Sequence, residues 1–308
     1  MTSIREKAGP VRIGIDIGGR NTKIGLVDVA QKFLAYREIP FDTEKTPKET
    51  LEEIGAAVLT LLEEKQIALD QCVSVGIGAA GTVLRDQGVI AYSNNIKWDH
   101  VPAAEILSKI LPLPIHAANN GDCAALGEAA AGAARGYQDV LMLTIGRGVG
   151  SGLILDGKIY ERRKGGSTEL GHMVIAENGR MCTCGRKGCL EAYVSTTAVR
   201  KETEETLGRP MELQELFALA GEGDKAAQLV TENYIRKLGT GIVNMINSFR
   251  PQAVIIGGNL AEAGDEWLEP LRKLVEENCF GGENSEIPEI EPAALGRKAG
   301  VIGAANLV

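Results

Sequence analysis

The 308-residue chain is poor in aromatic rings: two Trp, six Tyr and five Phe, 4% in all. Its core must therefore be aliphatic, and a 44% hydrophobic content is enough to build one. Positive charge is also short. Lys and Arg number 33 against 41 Asp and Glu, a net charge of −8. That balance argues against a nucleic-acid partner bound through a general basic surface. No apolar run approaches the roughly 18 residues that span a bilayer, and the opening MTSIREKAGP lacks the apolar centre of a secretory signal. The expectation is a cytoplasmic protein without a membrane partner. Histidine occurs three times and cysteine six. Cys72, Cys123 and Cys279 stand alone in apolar contexts, as thiols do in a reducing compartment.

The remaining cysteines are patterned. Residues 169–191 read ELGHMVIAENGRMCTCGRKGCLE, with His172 ten positions before Cys182, followed by Cys184 and Cys189. Three thiolates and an imidazole are the donor set of a closed, tetrahedral structural Zn2+ site. Gly179, Gly185 and Gly188 allow the tight backbone path such a site needs. The alternative, small buried cysteines, does not account for three of them in eight positions beside glycines. A redox pair would want Cys-x-x-Cys rather than Cys-x-Cys. Glu169 and Glu191 flank the cluster, which thus has the makings of a staple holding two carboxylates in place.

Glycine is abundant at 38 residues, and much of it sits between apolar runs. Residues 11–17 (VRIGIDI) predict a strand, followed by Asp16-Ile17-Gly18-Gly19-Arg20-Asn21-Thr22-Lys23 and two further strands. That turn is either an ordinary hairpin or a phosphate loop, in which glycine amides face an anion and Asp16 orients Mg2+. Residues 46–66 predict an amphipathic helix through Leu51, Ile54, Val58, Leu61 and Leu62, and 71–77 a buried strand. Residues 78–102 read as a loop with one short strand, 103–110 as a helix, 114–117 as a strand and 119–134 as a small-residue helix. After a strand at 139–145 come Gly146, Arg147, Gly148, Gly150 and Gly152, a second glycine loop suited to wrapping phosphates, with a strand after it. Helices are expected at 195–207, 213–220 and 224–247, the last stopped by Pro251, then a strand at 253–256. Gly257-Gly258-Asn259 is read as opening a helix over 260–278, either a plain turn or a nucleoside seat at a helix N-terminus. A strand at 287–292 and a helix at 294–308 close the chain.

Together the His…Cys-x-Cys-Gly-x-x-Gly-Cys-x-Glu signature, the two glycine loops and the late Gly-Gly resemble the ROK family (repressors, open reading frames and kinases) over almost the whole chain. The resemblance implies an α/β protein of two actin-like (ribonuclease H-like) lobes with a zinc-binding insertion in the second. It places the lobes at 1–118 plus 294–308 and at 119–293. It implies an ATP-dependent hexose kinase, glucose-like or N-acylated hexosamine, working as a homodimer with MgATP and structural zinc. Asn95, Asn119, Glu169, His172 and Glu191 would contact the sugar, with Trp98 beside Asn95. Asp16, Gly18, Gly19, Arg20, Asn21, Thr22, Lys23, Gly146, Arg147, Gly148, Gly150, Gly257 and Gly258 would serve the nucleotide, Asp16 through magnesium. The first strand near Val11 leaves no preceding helix-turn-helix, which sets aside the repressor branch.

The chain departs from the family pattern where chemistry is expected. The place of the general-base aspartate is Asn120, whose amide has no useful basicity. Asp122, two positions on, is expected to point elsewhere and to steady the helix N-terminus. Arg20 and Arg147 replace threonines in the two phosphate loops, Ala80 and Leu84 a proline and an aspartate, and Thr168 a glycine. The arginines either grip phosphate more tightly or fill the space that a γ-phosphate needs. Two other functions stay open: a weakened or silent sugar- and nucleotide-binding member, and a pocket reused for a phosphorylated ligand.

Overall fold

β-Branched runs decide the two sheets. In β1 (Val11–Ile17), Ile13, Ile15 and Ile17 are wholly buried. It pairs antiparallel with β2 (Asn21–Val27), which pairs antiparallel with β3 (Phe33–Pro40). The computed structural model describes residues 9–160, 166–282 and 286–307. α1 (Pro47–Glu64) begins at a reciprocal Thr46–Glu49 capping box with Pro47 in its first turn, and buries all five predicted apolar positions. It leads to β4 (Cys72–Ala79), parallel to β1.

Where one short strand was expected, residues 82–101 form a three-stranded antiparallel sheet of β5 (Thr82–Leu84), β6 (Val89–Ser93) and β7 (Trp98–Val101). Gly88, at φ 63°, turns β5 into β6, Lys97 at φ 55° lies in the turn from β6 to β7, and Gly81 at φ 102° leads into β5. α2 (Ala103–Ser108) and β8 (Ile115–Asn119) follow, β8 lying parallel to β4. The first sheet is ordered β3-β2-β1-β4-β8.

After α3 (Asn120–Ala131) the second sheet starts with β9 (Val140–Ile145), β10 (Val149–Leu155) and β11 (Lys158–Ile159). Next come α4 (Glu191–Val194), α5 (Thr196–Leu207), α6 (Leu213–Gly221) and α7 (Lys225–Phe249). β12 (Ala253–Gly258), α8 (Leu268–Asn278), β13 (Glu289–Pro292) and α9 (Ala299–Ala305) complete the chain. The sheet order, β11-β10-β9-β12-β13, repeats that of the first. Ser195 and Asp224 cap α5 and α7, and α7 ends at a left-handed Arg250 before Pro251.

Three expectations shift. β10 begins at Val149, inside the glycine stretch, so Gly150 and Gly152 are strand residues opposite Thr144 and Met142. The helix expected from 260 starts only at Leu268, because the chain turns through Gly264 at φ 99°. The closing helix is 299–305 rather than 294–308, and Val308 lies outside the described residues.

The chain divides into two compact units, Met1–Arg135 with Ile159–Ser167 and Arg297–Val308, and Gly136–Lys158 with Thr168–Gly296. α3 thus stays in the first unit, whereas the resemblance implied a boundary at 118/119. The cause is backbone contact with α9. A β-carbon at Gly303 would sit 1.6 Å from the Cys123 carbonyl oxygen, and one at Gly127 2.1 Å from that of Ala299. Glycines at 14 and 76 let the same helix lie on β1 and β4, where added β-carbons would be 2.0 and 1.7 Å from α9 carbonyl oxygens.

Candidate functional site

In the first unit, parallel register brings polar residues to one end of three strands. Asp16 is level with Gly78 of β4, and Ala79 with Asn119 of β8. Carboxyl ends of parallel strands are where α/β sheets bind ligands. Gly18 donates its N–H to the Asn21 carbonyl at 3.1 Å, closing the first glycine turn. Asp16, nearly buried, is held by Lys23 at 2.7 Å. The residue expected to serve magnesium and the lysine expected to serve phosphate are thus partners. Arg20 is exposed at the tip and forms no ion pair among the described residues.

Asn95 is exposed in the β6–β7 turn, where its carbonyl oxygen would lie 3.1 Å from a β-carbon on Gly19. Trp98 is a core residue instead, 3% exposed and packed near Phe41. Asn119 caps α3: its Oδ1 accepts the Gly121 N–H at 2.7 Å and its Nδ2 donates to the Gly81 carbonyl at 2.8 Å. Asn120 opens the helix, half-buried, with its Cα 3.7 Å from a β-carbon built on Gly78. Asp122 is buried in the first turn of α3, where a carboxylate meets the helix dipole. It lines a cavity of about 10 Å³ with Asn119 and Arg85, while Asn120 does not. Room for about one water is all such a volume gives.

The second unit repeats the arrangement. Ile145 of β9 is level with Gly258 of β12, so the second glycine turn and the Gly-Gly step lie side by side. The Asn259 N–H donates to the Ile145 carbonyl at 2.7 Å. Gly258 takes φ 77°, and a β-carbon there would be 2.3 Å from that carbonyl oxygen. The turn itself is Gly146-Arg147-Gly148. Gly146 donates to the Gly148 carbonyl at 2.9 Å and accepts from the Thr196 N–H at 2.8 Å, and the Thr197 hydroxyl donates to the Arg147 carbonyl at 2.8 Å. Among the described residues no hydrogen bond uses the N–H of Arg147 or Gly148. Arg147 is exposed and makes no ion pair there.

Glu191 joins this turn to the cysteine cluster. Its Oε2 accepts the Val149 N–H at 3.0 Å, and its Oε1 accepts the Thr183 hydroxyl at 2.8 Å and lies 3.5 Å from Cys182 Sγ. His172, Cys182, Cys184 and Cys189 offer donor atoms all within 4.8 Å of one another. His172 Nδ1 is 3.5 Å from Cys182 Sγ, and the Cys184 and Cys189 sulfurs are 3.6 Å apart. With metal–sulfur bonds of about 2.3 Å, a tetrahedral ion sets its sulfurs about 3.8 Å apart, so the cluster is compatible with zinc. Backbone hydrogen bonding at Arg186 lowers the Cys184 thiol to about 7, whereas burial pushes Cys189 up to about 12 and raises Cys182. Arg186 also donates to the His172 carbonyl. Nδ1 faces the thiols, which leaves Nε2 on the other edge of the ring.

Glu169 and His172 are set against β10. The Ser151 hydroxyl donates to the Thr168 carbonyl and accepts the Leu170 N–H at 3.0 Å. A β-carbon at Gly171 would be 2.2 Å from the Val149 carbonyl oxygen, so only glycine permits that approach. Burial first, and then the charge of Glu191, raises the Glu169 carboxyl above its usual range, with His172 opposing. Ser151, Thr183 and Thr197 escaped the sequence reading, and Thr196 entered it only as an alternative to Ser195 for the cap of α5, which the structure gives to Ser195. Of the three that escaped, Ser151 alone left a trace, as a hydroxyl among glycines.

Two α/β units of equal strand order, each with a glycine turn in its first hairpin, and a Cys/His cluster in the second define an actin-like ATPase fold with an inserted cysteine knuckle. The ROK family profile matches residues 12–308; the chain belongs to the ROK family. It is 31% identical to a glucokinase of Streptomyces coelicolor over 312 residues, 96% of each chain. A ROK family glucokinase from Streptomyces griseus, solved with glucose and AMPPNP, superposes with a TM-score of 0.81 at 30% identity, covering 97% of this chain and 99% of that one. A xylose repressor of Bacillus subtilis is 27% identical, covering all of this chain and 79% of its own.

Proposed function

We propose that this protein transfers the γ-phosphoryl group of ATP to a hydroxyl of a hexose, glucose or an N-acylated hexosamine. The hydroxyl oxygen forms a bond to phosphorus, the bond to the bridging oxygen of ADP breaks, and the hydroxyl proton leaves to solvent. The observation that carries the reading is the Ile145–Gly258 register. It sets a turn with two unengaged amides beside a Gly-Gly step that a nucleoside can approach. Similarity to glucokinases across 96% of the chain supports it.

The Arg147 and Gly148 amides and the Arg147 guanidinium would take phosphate oxygens, with Gly18, Gly19 and Arg20 serving the same end in the first unit. In the second unit Glu169 and His172 Nε2 would direct sugar hydroxyls; in the first unit Asn95 and the second N–H of Asn119 are the sugar contacts the resemblance implies. Glu191, with both oxygens engaged, is better placed to brace the turn. Mg2+, when bound through Asp16, neutralises phosphate charge, and Asp16 must first exchange its Lys23 partner. Zn2+ held by His172, Cys182, Cys184 and Cys189 would be structural. Positioning and charge then carry the catalysis, without a base at Asn120.

The test is ADP formation from MgATP with glucose, mannose and N-acetylhexosamines, for this chain and for Asn120→Asp. Slow hexose-dependent turnover is expected, accelerated in the variant. ADP from neither, with any of these sugars, would overturn the reading.

A second reading is favoured by Asn120 and by the Asp16–Lys23 pair: a sugar- and nucleotide-binding member without turnover. Similarity to a xylose repressor is in keeping with it. Calorimetry separates the two, since binding of sugar and nucleotide without ADP formation supports this one. The resemblance also implies a cytoplasmic homodimer, which sedimentation velocity would check. Among the described residues, no helix is long and apolar enough to cross a membrane.

A further inference from the structure

The second unit has another cleft that the phosphoryl-transfer reading does not use. It encloses about 230 Å³ and is lined by Arg180, Tyr193, Glu202, Asn233, Tyr234 and Lys237. Three elements and one loop supply these residues: α4 gives Tyr193, α5 Glu202, α7 the last three, and Arg180 sits on the strand of chain entering the cysteine cluster. Asn233 and Lys237 are four residues apart on α7 and so share a face.

The centre of the cleft is the Tyr193 ring, with two cations on it. The Arg180 guanidinium carbon is 5.0 Å from the ring centroid and the Lys237 Nζ 5.1 Å. The Tyr193 hydroxyl accepts the Arg180 backbone N–H at 2.8 Å, which ties the loop to the ring. Position 179 must be glycine for that approach, because a β-carbon would fall 2.0 Å from the hydroxyl. Tyr234 is a buried floor whose hydroxyl donates to the Val194 carbonyl at 3.2 Å. Arg180 pairs with Glu202 at 3.0 Å, whereas Lys237 forms no ion pair among the described residues. The lining therefore carries two cations against one carboxylate, with two tyrosines and the Asn233 amide completing it.

We propose that this cleft is a second ligand site, for a small phosphomonoester. A guanidinium fork and an ammonium near one ring suit the oxygens of a phosphate group. The Asn233 amide suits a hydroxyl on the body of the ligand. The volume is below that of drug-sized pockets, which start at about 300 Å³, so the ligand is of monosaccharide size. Occupancy would be felt at the glycine turn. Tyr193 is two residues from Glu191 on the four-residue α4, and Glu191 accepts the Val149 N–H. Arg180 is two residues from Cys182. The site is therefore regulatory, and it stands whether or not the chain turns over ATP.

Calorimetric titration of the full chain with inorganic phosphate and with a hexose 6-phosphate, in the presence of saturating AMPPNP, tests it. The hexose 6-phosphate is expected to bind more tightly than inorganic phosphate. Lys237→Met should weaken it about tenfold or more, the value of one hydrogen bond to a charged group. Glu202→Gln should strengthen it several-fold, since it frees Arg180. That opposite sign is what a structural role for these residues would not give. Absence of binding, or binding that neither variant changes, overturns the proposal.

Discussion

The two units share a strand order, and each turns from its first strand to its second through glycine and arginine, but the turns are held in different ways. After β1 the fixing contacts are an ion pair close to the sheet, Lys23 on Asp16 at 2.7 Å, and two backbone bonds at the tip, Gly18 to the Asn21 carbonyl and, from just beyond β3, Phe41 to the Arg20 carbonyl at 2.8 Å. After β9 the fixing contacts are hydrogen bonds from outside the hairpin, from Thr196, Thr197 and Glu191. Glu191 in turn touches Thr183 and Cys182. The second turn is thus braced through the cysteine cluster, while the first, besides its backbone bonds, has beneath it a charge pair that a metal ion or a phosphate can rearrange. A preorganised backbone needs no reordering when an anion arrives; a side-chain pair does.

Removing the cluster is the largest way to break that contrast. Structural zinc contributes about 10–16 kcal/mol in small zinc-folded peptides. Chelation, or Cys184→Ser, should therefore open residues 169–194 and the 146–149 turn to hydrogen exchange while the amides of β1, β4 and β8 keep their protection. Equal loss in both units would show that the bracing is not local. Next is Asn120→Asp. General-base help is worth about 10²–10⁴ in rate, so kcat for hexose-dependent ADP formation should rise within that range, with little change in nucleotide affinity.

A smaller effect sharpens the comparison of glycines. Gly303→Ala drives a β-carbon into backbone and should cost about 1–3 kcal/mol or more in urea denaturation. Gly150→Ala, with nothing nearer than 3.9 Å, should cost far less. The smallest is a pH effect at Glu169. Its carboxyl is raised by burial, so the folded state holds the proton more tightly than the unfolded state. Stability from this group is present below the unfolded value of 4.5 and is lost as pH rises through the raised folded one. Glu169→Gln should flatten that limb of the urea midpoint against pH.

Much of the fold could be read because local chemistry and tertiary structure agree. The Thr46–Glu49 box, Ser195 and Asp224 mark helix starts by bonds made within a few residues, and Pro251, with no N–H to donate, marks an end. Misreadings came where glycine had two meanings. Gly150 and Gly152 look like loop but are strand, because β9 pairs with them through a register no local pattern states. The helix expected at 260 was delayed by Gly264. Glu191 was expected only as a sugar contact, and the structure adds hydrogen bonds within the protein at both its oxygens, which no local pattern states.

The sequence by itself determined the cysteine cluster, the glycine turns, the family and the asparagine at position 120, where the resemblance expects a base, since each is a matter of which side chain stands at which spacing. Only the tertiary structure decided that Asp16 belongs to Lys23, that Glu191 braces the turn, that Ser151 seats Glu169, and that α9 lies against α3 and β1. Those are contacts between residues far apart in the chain. Their partners are chosen by packing, where a missing β-carbon at Gly14, Gly76 or Gly303 lets one backbone rest on another.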